Sequence, residues 1–361
     1  MSAAAKSALV MAGGTGGHIF PGLAVAQALR ERGWRVHWLG GCGSAGQPSM
    51  ESQLVPPQGF AFETIDFGGL RGKGLATAVW LPLRLLKAFW QSIGVLRRVR
   101  PDVVVGLGGY ITFPAGMMAV LLGKPLLLHE QNSVAGLVNK VLSRVADRVF
   151  TAFPDVIEGA QWVGNPLRAA FLNLPAPEQR FAGRSGPLKL LVVGGSLGAK
   201  ALNEIVPQAL ALLPVDQRPI VLHQSGVKQI DALRANYAAA GVTAELTPFI
   251  DNTAQAFADA DLVICRAGAS TVTEMAAVGA AALFVPFPYA VDDHQTANAR
   301  FLADSQAAWL VQQSELQPRY LADLLLKVER TALMNKGLKA KMMQKLDATE
   351  QIVTACEELV Q

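Results

Sequence analysis

The sequence has few cysteines, and their spacing argues against the structures that paired cysteines build. Cys42, Cys265 and Cys356 lie far apart in the 361 residues and form no Cys-x-x-Cys motif. We therefore expect neither a disulfide framework nor a cysteine-based zinc site, and a reducing compartment suits the chain. No other metal site is recognisable in the sequence, so we expect the protein to bind neither a metal ion nor a cofactor.

The chain also lacks a long uninterrupted apolar run. The longest stretch without a charged residue, 103–123, has the length of a membrane span. Gly106, Gly108, Gly109 and Pro114 interrupt it, however. The pattern predicts a strand, a glycine turn and a buried helix rather than a transmembrane helix.

The first glycine-rich loop lacks the signatures of two common nucleotide-binding proteins. Gly13-Gly-Thr-Gly-Gly-His18 follows an apolar strand and precedes a helix predicted from about Pro21 to Arg32. No Lys-Ser/Thr follows the glycines, so the loop is not a P-loop. The third glycine of the dinucleotide fingerprint is missing, and the next strand, 35–39, ends without an acid for an adenosine ribose. A nicotinamide-dependent dehydrogenase is therefore not expected.

A repeated order of strand, glycine turn and helix indicates an α/β protein with parallel sheets. Hydrophobic residues make up 51% of the sequence, and the length suggests two domains. Glycine turns follow the strands at 8–12, 103–107 and 188–193. Four polar residues, 129–132, follow another strand, where the crevice of such a sheet lies. Residues 164–168 read as a linker between the two halves.

Residues 265–298 carry the clearest sign of a ligand site. An apolar strand, 261–265, ends in a turn of small residues, and a helix follows with Ser270 and Thr271 as expected caps. Such a helix start suits a phosphate, and Glu274 is close enough to bind a ribose. An ordinary βαβ unit with hydroxyl caps would give the same pattern, so the stretch alone leaves both interpretations open.

Positive charge is concentrated in the first half of the chain. The net charge is +4, with 15 Lys and Arg against 9 Asp and Glu in residues 1–165. Residues 70–100 contain seven basic residues, two tryptophans and no acid, a composition typical of a segment at a membrane interface. A core helix with a solvated basic face is the alternative; nucleic acid is not expected, since no nucleic-acid motif occurs. The residues expected to contact the membrane are Arg71, Lys73, Leu75, Val79, Trp80, Leu83, Arg84 and Lys87.

Taken together, these motifs resemble those of the MurG family of peptidoglycan glycosyltransferases. The resemblance covers essentially the whole chain and rests on the order and spacing of the motifs. They are residues 13–18 with Pro21, Gly108-Gly-Tyr with Pro114, His129-Glu-Gln-Asn, Gly164-Asn-Pro-Leu-Arg, Gly194-Gly-Ser-Leu-Gly-Ala, and Arg266 to Glu274.

The family implies a GT-B fold, in which two Rossmann-like domains face a deep cleft and no metal is bound. We predict an N-terminal acceptor and membrane-facing domain at 1–165 and a C-terminal UDP-sugar domain at 166–342. A final helix, about 343–361, is expected to pack back on the first domain.

The resemblance also implies the residues that bind the donor. Glu274 would bind the ribose, Ile250 the uracil through its backbone, and Ser196 with the loop at 269–271 the diphosphate. The donor contacts implied are Thr15, Gly16, Gly17, Asn132, Arg168, Ser196, Ile250, Ala269, Ser270, Thr271, Val272, Thr273, Glu274 and Gln295. His294 and the segment before it depart from the family pattern, which puts the contacts of 288–295 in doubt.

The resemblance implies transfer of N-acetylglucosamine from UDP-N-acetylglucosamine, with inversion, to the 4-hydroxyl of the muramyl unit of undecaprenyl-diphospho-muramoylpentapeptide. Our hypothesis for the catalytic base is His18, with Glu130 as the alternative. The enzyme would bind peripherally to the anionic, cytoplasmic face of the inner membrane, with other cell-wall synthesis proteins as further candidate partners. The alternatives are another GT-B lipid glycosyltransferase, a sugar-nucleotide epimerase, or a non-catalytic nucleotide-sugar sensor.

Overall fold

The computed structural model describes residues 5–43, 48–68, 80–195 and 197–361. The chain divides into two compact units. Unit 1 comprises Met1–Arg168 and Lys345–Gln361, and unit 2 comprises Ala169–Gln344. Each unit contains its own parallel sheet and its own hydrophobic core.

Seven parallel strands form the sheet of unit 1 and six form that of unit 2. In unit 1 the order is β3-β2-β1-β4-β5-β6-β7, and in unit 2 it is β10-β9-β8-β11-β12-β13. The strands are β1 Ser7–Met11, β2 Arg35–Gly41, β3 Ala61–Ile65, β4 Val103–Gly106, β5 Leu126–Glu130, β6 Arg148–Thr151, β7 Gln161–Trp162, β8 Lys189–Val193, β9 Ile220–Gln224, β10 Glu245–Thr247, β11 Leu262–Cys265, β12 Ala282–Phe284 and β13 Ala308–Leu310.

Helices connect the strands of both sheets. In chain order those of the described residues are α1 Gly16–Glu31, α2 Met50–Leu54, α3 Leu81–Val99, α4 Thr112–Leu121, α5 Leu137–Leu142, α6 Pro177–Phe181, α7 Lys200–Ala211, α8 Ile230–Ala240, α9 Thr253–Asp259, α10 Ala269–Val278, α11 His294–Ala303, α12 Pro318–Lys327, α13 Arg330–Met342 and α14 Ala348–Glu358.

The central strands are buried on both faces, as the apolar runs of the sequence predicted. Every residue of β1, β4, β5 and β11 is buried. Parallel strands covered by helices on both sides need such continuous apolar runs. The uncharged stretch 103–123 forms β4, a glycine turn and α4, as predicted. Within the described ranges, no helix is both long and apolar enough to cross a membrane.

Each sheet has one point at which the strand order reverses. In unit 1 this point lies between β1 and β4, and in unit 2 between β8 and β11. In open parallel sheets ligands bind beyond the carboxyl ends of the strands at this point, because the adjoining loops turn in opposite directions there. The predicted glycine turns at 13–14, 108–109 and 194–198 follow β1, β4 and β8.

The C-terminal helix α14 belongs to unit 1. Ile352, Val353 and Cys356 are fully buried in the same apolar cluster as β1 and α1. Arg32, which follows α1, forms ion pairs with Glu350 and Glu357 of α14.

The prediction for the start of α1 was wrong. Helix α1 begins at Gly16 rather than at Pro21, which lies inside the helix. Proline at a first helical position is common, but Pro21 only removes the N–H that would otherwise bond the carbonyl of Gly17. The two units divide directly after Arg168, at the end of the segment predicted as a linker, although residues 163–167 are buried.

Burial of a histidine in unit 2 makes the stability of that unit depend on pH. His223 on β9 is fully buried; its Nε2 donates to Asn203 Oδ1 at 3.1 Å and its Nδ1 accepts from the Tyr237 hydroxyl at 3.0 Å. Burial lowers the pKa of His223 to about 3. The unfolded chain therefore takes up a proton below about pH 6.5 that the folded chain does not bind.

We expect the free energy of unfolding to fall as the pH is lowered from 7.5 to 5, with about 2 kcal/mol of the fall due to His223. Denaturant unfolding of the wild type and of His223→Gln at both pH values measures this. The variant should be less stable at both, but its loss between them should be smaller by that amount. His294→Gln, at a half-exposed position, is the control and should retain the wild-type pH dependence; equal pH dependence in all three proteins would contradict the prediction.

Candidate functional site

The glycine turn after β8 requires glycine because two loops of unit 2 touch there. Gly198 has a φ of +76°, and a Cβ at this position would lie 2.0 Å from the carbonyl oxygen of Ser225. Only glycine tolerates both the left-handed backbone and the contact. Ser196, a predicted diphosphate contact in this turn, lies outside the described residues.

Gln224, at the end of β9, ties this turn to the loop that carries Ile250. Its Nε2 donates to the carbonyls of Gly195 and Pro248, each at 3.0 Å, and its Oε1 accepts from the Gly195 N–H at 3.2 Å. Ile250 is half-buried two residues beyond Pro248. The predicted uracil contact is thus held at the same sheet edge as the glycine turn. No motif in the sequence around Gln224 indicates this role.

Helix α10 begins at the reversal point of the unit 2 sheet with free amide groups. Gly268 is its N-cap, and the first backbone bond runs from Val272 N–H to the Gly268 carbonyl at 3.0 Å. The N–H groups of residues 269–271 thus have no carbonyl partner in the helix, which places partial positive charge at this edge. The expectation that Ser270 and Thr271 cap the helix was wrong, because both lie inside its first turn.

The side chains of the first two turns of α10 have different environments. Ser270 Oγ is buried without a hydrogen-bond partner among the described residues, whereas Val272 is fully buried in apolar surroundings. Thr273 Oγ1 donates to the carbonyls of Ala269 and Ser270. The side chains of Val272 and Thr273, both predicted donor contacts, are therefore engaged within the protein. The hydroxyl of Ser270 is available to bind a ligand.

Glu274 lies near the carboxyl end of β11. It is half-buried, and burial together with its carboxylate raises the pKa of the Cys265 thiol, the last residue of that strand. Glu274 lies one helical turn beyond the free N–H groups of residues 269–271. If those N–H groups bind a phosphate, the carboxylate is suited to bind the hydroxyls of the attached sugar.

Gln295 joins the loops that follow β11 and β12. Its Oε1 accepts from the N–H groups of Ala267 at 3.3 Å and Phe287 at 3.0 Å, while its NH2 group has no partner among the described residues. His294, which departs from the family pattern, donates from Nδ1 to the Val291 carbonyl at 2.7 Å. In this arrangement Gln295 can donate to a ligand, and His294 holds its own loop.

In unit 1 the two glycine turns at the reversal point are in direct contact. A Cβ on Gly109, whose φ is +91°, would lie 2.5 Å from the carbonyl oxygen of Gly13. The buried carboxylate of Glu51 accepts from the N–H groups of Gly14 at 3.2 Å and Gly41 at 3.0 Å. Glu51 thus anchors the first glycine turn to the end of β2. The sequence did not indicate this role, because the residues next to Glu51 form no recognisable motif.

His18 lies in the first turn of α1, directly after this glycine turn. Its ring Nδ1 is 2.8 Å from Gln131 Oε1, which follows β5. Thr15 is the exposed N-cap of α1, followed by Gly16 and Gly17 in its first turn. The structure therefore brings four predicted site residues, Thr15 to His18, to the carboxyl end of β1.

Two more predicted residues of unit 1, Arg168 and Asn132, lie near this edge. The guanidinium of Arg168 lies over the ring of Phe20 on α1, 5.5 Å from its centroid. Asn132 is half-buried, and its backbone N–H donates to Glu130 at 2.9 Å.

The carboxylate of Glu130 forms hydrogen bonds with the loop after β5. It is 3% exposed, and its two carboxylate oxygens accept from the backbone N–H groups of Asn132 and Gly136 and from Asn139 Nδ2. A buried carboxylate whose oxygens are occupied by these donors is shielded from a substrate hydroxyl. The geometry favours a structural role for Glu130 and leaves His18 as the candidate base.

Of the four polar residues at 129–132, the first three are buried. The sequence had suggested that all four face a crevice. His129 and Glu130 instead belong to β5 itself, and burial lowers the pKa of His129 to about 4. Only Asn132 remains partly accessible.

The described residues contain no cluster of metal ligands, and a cavity lies away from this edge. Among the described residues, no three His, Cys, Asp or Glu side chains come together as metal ligands would. A cavity of about 480 Å³, lined by Arg35, His37 and three arginines at 97–100, lies where the strands of the unit 1 sheet begin. That edge is opposite to the one that carries His18.

The surface of α3 combines exposed aromatic, aliphatic and basic side chains. Ala88, Ser92, Val95, Leu96 and Val99 form its buried face. Its other face exposes Trp80, Leu83, Leu86 and Trp90, each more than half accessible, together with Arg84 and Lys87. Lys87 pairs with Asp66 at 2.6 Å. Four other residues predicted to contact a membrane, Arg71, Lys73, Leu75 and Val79, lie outside the described residues.

Comparison with known proteins identifies the family. The glycosyltransferase family 28 N-terminal domain matches residues 8–151, and the family 28 C-terminal domain matches residues 189–354. The chain is 76% identical to the UDP-N-acetylglucosamine--N-acetylmuramyl-(pentapeptide) pyrophosphoryl-undecaprenol N-acetylglucosamine transferase of a Polaromonas species, over 99% of this chain and 92% of that protein. It is 75% identical to the enzyme of that name from Polaromonas naphthalenivorans, with 98% of each covered.

A solved structure agrees with this assignment. The crystal structure of MurG from Acinetobacter baumannii matches with a TM-score of 0.85 and 42% identity, over 98% of this chain and 99% of that one. The GT-B fold class predicted from the sequence is thereby confirmed. The chain belongs to glycosyltransferase family 28 and, within that family, to the MurG enzymes.

Proposed function

We propose that this chain transfers N-acetylglucosamine from UDP-N-acetylglucosamine to the 4-hydroxyl of the muramyl unit of undecaprenyl-diphospho-muramoylpentapeptide, with inversion, in peptidoglycan synthesis. The observation that carries the proposal is 76% identity, over 99% of the chain, to an enzyme whose name states both substrates. A reversal point with glycine turns in each of two sheets supports a reaction between two ligands.

Unit 2 supplies the donor site in this proposal. The free N–H groups of residues 269–271 and the Ser270 hydroxyl bind the diphosphate, and Glu274 binds the ribose. Ile250 meets the uracil through its backbone, while Ser196 and the NH2 of Gln295 complete the contacts. Hydrogen-bond donors fixed in advance stabilise the negative charge that develops on the leaving diphosphate.

Unit 1 supplies the base. In an inverting displacement the acceptor oxygen bonds to the anomeric carbon while the bond from that carbon to the diphosphate breaks. The proton of the acceptor hydroxyl passes to the imidazole of His18. The further donor contacts in this proposal are Thr15, Gly16 and Gly17 beside His18, together with Asn132 and Arg168.

Replacement of His18 by alanine should lower kcat by about a hundredfold or more, because the general base is lost. The assay measures release of UDP and formation of the disaccharide product from UDP-N-acetylglucosamine and a soluble muramyl-lipid analogue. His37→Asn, at the opposite edge of the same sheet, is the matched control and should retain wild-type turnover.

Other outcomes of this assay identify the rival functions. Nearly normal turnover in His18→Ala would move the base elsewhere. Binding of the nucleotide sugar without turnover by the wild type would indicate a sensor. Release of an epimer, or transfer to a different lipid only, would indicate an epimerase or another GT-B lipid glycosyltransferase.

Replacement of Glu274 by glutamine should weaken binding of UDP by about 10- to 100-fold, since hydrogen bonds to a charged carboxylate are the strong ones. Calorimetric titration with UDP and with 2′-deoxy-UDP measures this. The wild type should prefer UDP, and the variant should bind both with similar affinity. Glu204→Gln, half-exposed on α7 of the same unit, should behave as the wild type. An unchanged preference in Glu274→Gln would contradict the ribose contact.

We also propose that the exposed face of α3 binds the anionic, cytoplasmic surface of the inner membrane and brings the lipid-linked acceptor to unit 1. Two tryptophans and two leucines provide apolar area that can enter the interface, and Arg84 and Lys87 lie on the same exposed surface. A solvated helix face would expose polar residues instead. Such binding is peripheral, and other cell-wall synthesis proteins are candidate partners at this surface.

The double substitution Trp80→Ser and Trp90→Ser should reduce co-sedimentation with anionic liposomes by at least about tenfold, because it removes the apolar area that enters the interface. Arg84→Gln should weaken binding to anionic vesicles but not to neutral ones. Val215→Ser combined with Met342→Ser, which removes exposed apolar residues from unit 2, is the control. Equal soluble fractions of the wild type with anionic and with neutral lipid would count against the proposal.

A further inference from the structure

A chain of hydrogen bonds runs from the interior of unit 1 to His18, and it begins at His129. His129 Nε2 is 2.8 Å from the carbonyl oxygen of Gly164. A carbonyl oxygen can only accept, so Nε2 carries the proton. Burial lowers the pKa of His129 to about 4, and the ring is therefore neutral at physiological pH. The other ring nitrogen, Nδ1, must then be an acceptor.

Gln131 takes its orientation from His129. Gln131 Nε2 is 2.9 Å from His129 Nδ1 and 3.0 Å from the carbonyl oxygen of His129. Both partners are acceptors, and the NH2 group offers two hydrogens. This end of the side-chain amide is thus fixed, and the amide cannot flip without placing its oxygen against two acceptors.

The amide oxygen of Gln131 consequently faces His18. Gln131 Oε1 is 2.8 Å from His18 Nδ1 and can only accept, so Nδ1 of His18 carries the hydrogen. In the neutral ring, Nε2 of His18 then bears the lone pair. A Cβ at Gly108 would lie 2.7 Å from His18 Nδ1 and 3.3 Å from Gln131 Oε1, so this glycine leaves room for the pair.

We propose that Gln131, oriented by His129, is a positioning residue that holds His18 in the tautomer whose Nε2 accepts the proton of the acceptor hydroxyl. This inference rests on the proposed role of His18 as the base. During the displacement the hydroxyl proton moves to Nε2, the acceptor oxygen bonds to the anomeric carbon, and UDP leaves with the electron pair of the broken bond. The Nδ1–H bond to Gln131 persists throughout and stabilises the imidazolium that forms.

An amide in this position has a consequence that a carboxylate would not have. The oxygen of Gln131 is neutral, so it orients the ring through a hydrogen bond without placing a negative charge beside it. Other titratable or charged groups on the surrounding elements include His129 and Glu130 of β5, Glu51 of α2, Tyr110 after Gly109, and Arg168 beside Phe20. His129 and Glu130 are buried, and the carboxylates of Glu130 and Glu51 are engaged with backbone N–H groups.

The first test reads the tautomer directly. Long-range ¹H–¹⁵N spectra of the full chain with ¹⁵N-labelled histidine distinguish a ring protonated at Nδ1 from one protonated at Nε2. The wild type should show His18 protonated at Nδ1 and His129 at Nε2. In Gln131→Met, which removes the acceptor at similar size, His18 should shift toward the form protonated at Nε2. A wild-type His18 protonated at Nε2 would overturn the inference.

The second test connects the tautomer to the reaction. Gln131→Met should lower kcat by at least about tenfold, with little change in the KM for UDP-N-acetylglucosamine. Gln131→Glu retains an acceptor beside His18 but adds a charge that favours the protonated ring. The acidic limb of its pH–kcat profile should therefore move to higher pH, while kcat stays below the wild-type level, because a carboxylate oxygen then faces the two acceptors of His129. Gln161→Met, an exposed glutamine on β7, is the matched control and should match the wild type.

The two tests separate this inference from the proposed base. Normal turnover in His18→Ala, together with the expected His18 tautomer in the wild-type spectra, would show that the base is not His18. A defect in His18→Ala, together with unchanged kcat in both Gln131 variants, would retain the base and overturn the role of Gln131. Dispersed spectra and wild-type UDP affinity show that a variant is folded.

Discussion

Close contact between backbone segments at the carboxyl ends of the strands is the constraint on which both candidate sites depend. In unit 1 a Cβ on Gly109 would lie 2.5 Å from the carbonyl oxygen of Gly13, and in unit 2 a Cβ on Gly198 would lie 2.0 Å from that of Ser225. In unit 1 the pair closes the reversal point of the sheet, and in unit 2 it joins the loops that follow β8 and β9; neither contact has an intervening side chain. Main-chain groups and short side chains can then meet a ligand directly, which a layer of larger residues would prevent.

The two edges nevertheless present different chemistry. In unit 2 the edge offers helix amides, the Ser270 hydroxyl and the amide of Gln295, a set of donors suited to a diphosphate. In unit 1 the edge offers the imidazole of His18, whose Nδ1 contacts the buried Gln131, which in turn contacts His129. Binding of an anion and removal of a proton make opposite electrostatic demands, and in our proposal they fall to separate sheets.

Local sequence patterns predicted what depends on near neighbours. Apolar runs marked the strands, glycines marked the turns, and the order of both indicated two α/β domains, because strands and turns are determined within a few residues. The start of α1 was missed by five residues, since Pro21 resembles a first helical residue although the helix tolerates it internally. The capping residue of α10 was likewise misplaced, because glycine and hydroxyl residues compete for that position.

The partners of individual side chains could not be predicted in the same way. His18 and Gln131 are 113 positions apart, and Glu51 reaches Gly14 across 37 positions. The motif at 129–132 was recognised as polar, but its sequence does not show that Glu130 turns toward Asn139 while Gln131 turns toward His18. These hydrogen-bond partners are determined by the packing of segments that are distant in sequence, so local sequence patterns do not predict them.

The position of α14 has a consequence for how the chain can fold as it is made. The buried residues Ile352, Val353 and Cys356 complete the cluster that contains β1, yet they leave the ribosome only after all of unit 2 has been synthesised. Unit 2, a contiguous segment, can reach its native state while the earlier unit still has an uncovered apolar surface. The first part of the chain to emerge is therefore the last to be finished, and until then its exposed surface is a candidate for protection by chaperones.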